Sequence, residues 1–125
     1  MKNVLTSTPF ADGYKMPAEW DTHSATLMIW PHNRETWPGP RLDAVENVYK
    51  EIILTLLKYE TVLLLVNDES TEKRVLSILG EYQGAAYPLR ILHKTVNDVW
   101  SRDSGPIFIK KDKDDGIRIT DWEFN

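Results

Sequence analysis

The sequence predicts an α/β fold in its first part that turns into mixed sheet at its end. Three observations carry this. Ala25–Trp30 (ATLMIW) and Thr61–Val66 (TVLLLV) are short, nearly unbroken apolar runs. Residues 41–59 between them repeat apolar positions at helical spacing. Near the end, two more apolar runs are separated by a charged turn. Strands alternating with helical patterns mark βαβ units, and two strands joined by a turn mark an antiparallel pair.

Residues 1–17 show no sustained period, and Pro9, Gly13 and Pro17 interrupt them, so an irregular lead-in is expected, packed through Phe10 and Tyr14. Ala25–Trp30, stopped by Pro31, suits a strand buried on both faces. The run His32–Pro40 (HNRETWPGP) holds Trp37, two prolines and a glycine, the composition of a surface connection with a pinned aromatic. Over 41–59, Leu42, Val45, Val48, Tyr49, Ile52, Ile53, Leu56 and Leu57 recur at three- and four-residue steps, which predicts one helical stripe.

Thr61–Val66 begins on two β-branched residues and stops at Asn67-Asp68, as a buried strand does. A second helix follows, capped by Asn67, Asp68 or Ser70, with Val75, Leu76 and Leu79 inside and Gly80 at its end. Leu89–Leu92 is a third strand, and the polar segment Thr95–Pro106 reads as turns. Ile107–Ile109 and Ile117–Trp122, joined by KKDKDDG with Asp115-Gly116 as the hairpin turn, are expected to pair antiparallel. The order is β-α-β-α-β-β-β, neither a clean doubly wound sheet nor a sandwich, without internal repeats.

Composition narrows the chemistry. The 125 residues carry 15 Lys and Arg against 19 Asp and Glu, a net charge of -4, and the basic residues are spread along the chain. That balance argues against a nucleic-acid footprint or a polybasic membrane anchor and favours a cationic partner. With no cysteine in the sequence there is no disulfide, thiolate metal site or cysteine nucleophile among these residues. Residues 1–17 lack the apolar stretch of a secretory leader, and no apolar run approaches the roughly 20 residues of a membrane span, so the cytosol is the expected location.

Asn97-Asp98-Val99-Trp100-Ser101-Arg102-Asp103-Ser104-Gly105-Pro106 stands apart, with two carboxylates flanking a large aromatic just after a predicted strand. A guanidinium is planar and presents its donors in a fork, so a carboxylate can take it bidentately while an aromatic covers its face. The bland alternative makes Asp98 and Asp103 turn formers, Arg102 a bridge to one of them, and Trp100 a core residue. His23, His32 and His93 have no metal-ligand spacing and read as surface or packing residues; no metal and no cofactor is expected. Trp20, Trp30 and Trp37 read as core and lid aromatics rather than a base-stacking platform, and no glycine-rich phosphate loop is present.

Taken with Gly13-Tyr14-Lys15-Met16-Pro17-Ala18-Glu19-Trp20, with Ile29-Trp30-Pro31 and with Asp121-Trp122-Glu123-Phe124-Asn125, that segment completes a set of four motifs in order along the chain. The set resembles the agmatine deiminase family, which the bacterial type of peptidylarginine deiminase shares. The resemblance implies a pentein fold, a five-bladed α/β propeller around a channel, of which residues 1–125 would be the N-terminal part of one domain that continues beyond them. It implies hydrolysis of agmatine to N-carbamoylputrescine and ammonia, in polyamine metabolism, through a thiouronium on a cysteine. That cysteine, a histidine acid/base and a second carboxylate would follow later in the family's sequence, and this chain by itself is expected to be inactive. Asp103 would be the guanidinium-binding carboxylate, with Trp100 and Asp98 lining the substrate site. The partner implied is a small cationic guanidino compound, with the remainder of the polypeptide or another copy of the chain as an associating surface. His32–Gly39 departs from the family's E-R-P-D-N-W run, which leaves a peptidyl-arginine-like amidine open as the substrate. A non-catalytic truncated paralogue, or a half-protein completed by another chain, is the reading from a different class.

Overall fold

The computed structural model describes residues 7–82, 85–112 and 116–120. In chain order the elements are β1 (Tyr14–Lys15), β2 (Ala25–Ile29), α1 (Arg41–Leu56), β3 (Thr61–Val66), α2 (Glu69–Leu79), β4 (Leu89–His93), α3 (Ser101–Ser104), β5 (Ile107–Lys111) and β6 (Ile117–Thr120). They fall into two compact units, one spanning His23–Asp103 and the other combining Met1–Thr22 with Ser104–Asn125. The fold is mixed α/β. Among the described residues no helix is long and apolar enough to cross a membrane.

The His23–Asp103 unit is a parallel sheet in the order β2-β3-β4, with Ala25 opposite Thr61 and Val62 opposite Leu89. Parallel neighbours need crossovers, and α1 and α2 supply them; the right-handed crossover rule puts both on one face when strands follow in order. Accordingly Ile53 and Leu57 from the first crossover and Val75 and Leu79 from the second join Val62, Leu64 and Val66 in one buried cluster. Those three β3 side chains share a face because strand side chains alternate. The expectation of strands buried on both faces is therefore corrected. Along β3, Val62, Leu64 and Val66 are buried while Thr61, Leu63 and Leu65 are only half-buried, because both helices cover the same side.

The helical stripe is also narrower than the apolar pattern implies. Leu42, Glu46, Ile53 and Leu57 are buried, whereas Val48 and Ile52 are exposed, and so is Leu76 on α2. A helix resting on a three-stranded sheet buries a single line of residues at three- and four-residue steps, and apolar residues beside that line face out. Glu46 lies on the buried line. Its Oε1 accepts from the Trp30 indole at 3.1 Å and from Arg74 Nε at 2.7 Å, while Arg74 Nη2 reaches Glu46 Oε2 and Asp43 Oδ1, the latter at 2.8 Å. The hydrogen bonds that Arg74 donates to Glu46 raise its guanidinium pKa above the ordinary value. One buried carboxylate thus ties α1, α2 and the end of β2 together. Trp30 continues the β2 ladder through its N–H to Leu65 O at 3.0 Å and meets Tyr49 edge-on, with ring centroids 6.2 Å apart.

Asp68 is the residue that caps α2. Its Oδ1 accepts the Thr71 amide and the Ser70 and Thr71 hydroxyls at 2.7–2.9 Å, and these bonds hold its carboxyl at a pKa of about 2. Gly80 ends the helix at φ 63°, where a Cβ would be strained.

The other unit is antiparallel, in the order β1-β5-β6, with Tyr14 opposite Lys111 and Phe108 opposite Ile119. The lead-in is thus not wholly irregular, since Tyr14–Lys15 adds an edge strand. Tyr14 is buried, accepts from Arg118 Nε at 2.8 Å on its hydroxyl, and has Lys111 Nζ 4.7 Å from its ring centroid. Phe10, by contrast, is 87% exposed, so the expectation that it packs is corrected. The β5–β6 pairing is antiparallel, as the hairpin pattern predicts. Its turn at Asp115 and the motif at 121–125 lie outside the described residues.

Candidate functional site

All three strands of the parallel sheet run in one direction, so the loops leaving β2, β3 and β4 gather at its carboxyl edge, where α/β folds place ligands. The loop after β4 contains the distinctive segment that starts at Asn97. Its first residues are held by side chains from the other two loops. Asn67, just past β3, accepts the Val96 amide on Oδ1 at 3.0 Å and donates from Nδ2 to the Val96 carbonyl at 3.3 Å. Asn33, in the loop after β2, donates from Nδ2 to the Asn97 carbonyl at 3.3 Å. Thr36, from the same loop, donates its hydroxyl to Asp98 Oδ2 at 2.6 Å.

Asp98 is half-buried, and its other oxygen, Oδ1, accepts the Val99 amide at 2.8 Å. Burial raises the Tyr49 phenol pKa, and the Asp98 charge adds to the shift. After Val99, which is buried, the chain turns outward. Trp100 is 58% exposed, and Asp103, within the single helical turn α3, is exposed as well. The core-filling alternative for Trp100 is therefore overturned: Val99 takes the inward position, and Trp100 lies at the surface. Asp98 joins a hydrogen-bonded framework while Asp103 and Trp100 stand at the surface, so the three predicted residues share a segment without sharing an environment. Asn33, Thr36 and Asn67 were not among the predicted site residues. Their only trace in the sequence is that short polar side chains follow the ends of β2 and β3.

The histidines do local work. His23 pairs with Glu60, which also accepts the Thr26 hydroxyl at 2.9 Å; His32 Nδ1 lies 3.1 Å from the Trp30 carbonyl oxygen; His93 Nε2 lies 2.6 Å from Glu72 Oε2. Among the described residues no group of three or more His, Asp or Glu is placed to hold a metal ion. Trp37 is half-buried, and its indole N–H is buried without a partner. Trp20 is exposed, so of the three tryptophans read as core and lid aromatics only Trp30 sits in the core. A cavity of about 450 Å³ lies at the opposite, amino edge of the sheet, lined by Glu51, Leu54, Lys58 and Tyr82 among others.

A family model described as Porphyromonas-type peptidyl-arginine deiminase matches residues 15–125. An agmatine deiminase of Pseudomonas aeruginosa (strain LESB58) is 34% identical over 125 residues, covering 96% of this chain and 30% of that protein. One of Stutzerimonas stutzeri (strain A1501) is 33% identical over 127 residues, covering 98% and 31%. The fold is similar to that of a C. jejuni agmatine deiminase, with a TM-score of 0.72 and 23% identity, covering 90% of this chain and 32% of that one. The chain spans about 30% of the length of the curated relatives it matches. The match over 15–125 takes in the lead-in motif from Lys15 onward, the Trp30-Pro31 corner and the whole Asn97–Pro106 segment, and the chain belongs to the Porphyromonas-type peptidyl-arginine deiminase family.

Proposed function

We propose that this chain is the N-terminal part of an agmatine deiminase-type hydrolase, which converts agmatine and water to N-carbamoylputrescine and ammonia. The observation that carries the reading is the Asn97–Asp103 stretch at the carboxyl edge of the parallel sheet. There an oriented carboxylate, Asp98, stands a few residues from an exposed Trp100 and an exposed Asp103. Two acids beside an exposed aromatic suit a planar cation. The names of the relatives point to the same substrate class.

In this reading Asp103 grips the guanidinium nitrogens, Asp98 takes a second edge, and Trp100 covers the face. These residues supply the first part of the pentein propeller; the remainder of it and of the active site comes from sequence beyond them, since they contain no cysteine. A thiolate supplied there attacks the guanidinium carbon and ammonia departs with a proton from a general acid. Water then displaces the thiolate from the thiouronium and leaves the urea product. The residues described here bind and orient; they do not carry the covalent step. The reaction belongs to polyamine metabolism in the cytosol.

The test is ammonia release from agmatine by the complete protein. Asp103→Asn is expected to lower kcat/KM by about a hundredfold or more, since it removes a charge-assisted contact at the reacting group. A variant with wild-type turnover would take Asp103 out of the site. Two further readings have observations behind them. The departure at His32–Gly39 leaves a peptidyl-arginine-like amidine open, and running peptidyl-arginine beside agmatine separates the two. The exposed Phe108, Ile117 and Ile119 favour a non-catalytic half-protein that docks another chain. A native polypeptide of 14.5 kDa without a thiol would support that reading.

A further inference from the structure

We infer that Thr36 is a positioning residue for Asp98: its hydroxyl turns the carboxylate so that its remaining lone pairs face a guanidinium. The inference rests on the deiminase reading above and adds a residue that reading does not use.

An ionised carboxylate offers about four lone-pair sites, two on each oxygen. In Asp98 one site on Oδ2 is taken by the Thr36 hydroxyl at 2.6 Å and one on Oδ1 by the Val99 amide at 2.8 Å. One bond to each oxygen fixes rotation about the Cβ–Cγ bond and leaves one site per oxygen, the number a bidentate guanidinium needs. The Val99 amide is adjacent to Asp98 in the chain and restrains one oxygen only, so by itself it does not hold the carboxylate in one direction. Thr36 is 62 residues away, on another loop, and supplies the external reference.

The same geometry separates this role from a structural one. The loops after β2 and β4 are already joined by Asn33 to the Asn97 carbonyl, and the loop after β3 is joined to Val96 through both groups of the Asn67 amide. Removing the Thr36 hydroxyl leaves those three bonds in place. What is lost is the orientation of one carboxylate.

The experiment compares the complete wild-type protein with Thr36→Val, which keeps the shape and removes the donor, and with Thr36→Ser, which keeps the donor. Hydrolysis of agmatine is followed beside thermal melts. KM is expected to rise about tenfold in Thr36→Val, the scale of one hydrogen bond to a charged group, with kcat changed much less and the melt unchanged. Thr36→Ser should return KM to near the wild-type value. Amide exchange gives a readout that does not need activity: in Thr36→Val the Val99 amide should exchange faster while the Val96 amide keeps its protection. A wild-type KM in an active Thr36→Val enzyme would overturn the inference. So would a joint loss of kcat, KM and melting temperature that Thr36→Ser does not rescue, or unchanged exchange at Val99. A wild-type protein that releases no ammonia from agmatine or peptidyl-arginine sinks the deiminase reading itself, an outcome distinct from the others.

Discussion

The parallel unit and the antiparallel unit bury their side chains in opposite ways. In the parallel unit two helices cover one face of β3, and Val62, Leu64, Ile53 and Leu57 are all fully buried. Among the described residues of the antiparallel unit Tyr14 is the large side chain that is buried, while Phe108, Ile117 and Ile119 lie exposed along one face of the β5–β6 pair. A crossover helix brings its own cover to the sheet that it connects, whereas a hairpin brings only a second strand and leaves both faces to be covered by something else. Stability should therefore be concentrated in the first unit, and substitutions should separate the two.

The largest effect is expected at the centre of the parallel unit. Leu64→Ala removes three heavy atoms from a site with 0% exposure and should cost about 3 kcal/mol or more, read as a lower denaturant midpoint. A loss under about 1 kcal/mol there would mean that the helices do not seal that face. Next comes the carboxylate that staples the helices. Arg74→Met leaves Glu46, 2% exposed, with the Trp30 indole as its remaining neutral partner. Breaking a buried pair costs more than an exposed one, but Arg74 is itself half-exposed, so about 2 kcal/mol is expected. Glu46→Gln combined with Arg74→Met should recover part of that loss in a double-mutant cycle, because no buried charge is then left unpaired.

A smaller effect is expected at the α2 cap. The Asp68 carboxyl is depressed from 3.8 to about 2 in the folded chain, so its contribution is fully present above pH 4 and is lost as pH falls toward 2. Asp68→Asn keeps a capping oxygen without the titration, and its stability profile should be flatter between pH 4 and 2 than that of the wild type. Equal slopes in that window would mean that the Thr71 and Ser70 bonds do not persist in solution. The smallest effect is expected in the antiparallel unit, where Ile119 is 59% exposed and Ile119→Ala should change stability by no more than about 0.5 kcal/mol. A cost near that of Leu64→Ala would show that something covers this face in solution, and would erase the contrast between the units.

Much of the fold was legible because its periods and turn signals are strong. Thr61–Val66 is a strand with the predicted limits, α2 has its cap among the three candidates and its stop at Gly80, and β5 and β6 pair as the hairpin pattern requires. The misreadings have a common physical origin. Val48, Ile52 and Leu76 fit a helical apolar stripe as well as Ile53 and Val75 do, and only the position of the sheet decides which line of residues is buried. The burial of Glu46 leaves no local signal because its partners, Trp30 and Arg74, are 16 and 28 positions away.

At the candidate site the same division holds. Local chemistry was enough to single out Asp98, Trp100 and Asp103 as acids beside an aromatic, because charge and ring are properties of the residues themselves. It could not say that Val99 would be the one to turn inward, or that Thr36, Asn33 and Asn67 would converge on Val96, Asn97 and Asp98. Element type and the inventory of reactive groups follow from short-range periodicity and side-chain chemistry, which the sequence by itself determined. Which face of a helix is buried, which carboxylate is held and which stands free depend on bonds between residues up to 64 positions apart, and only the tertiary structure decided those.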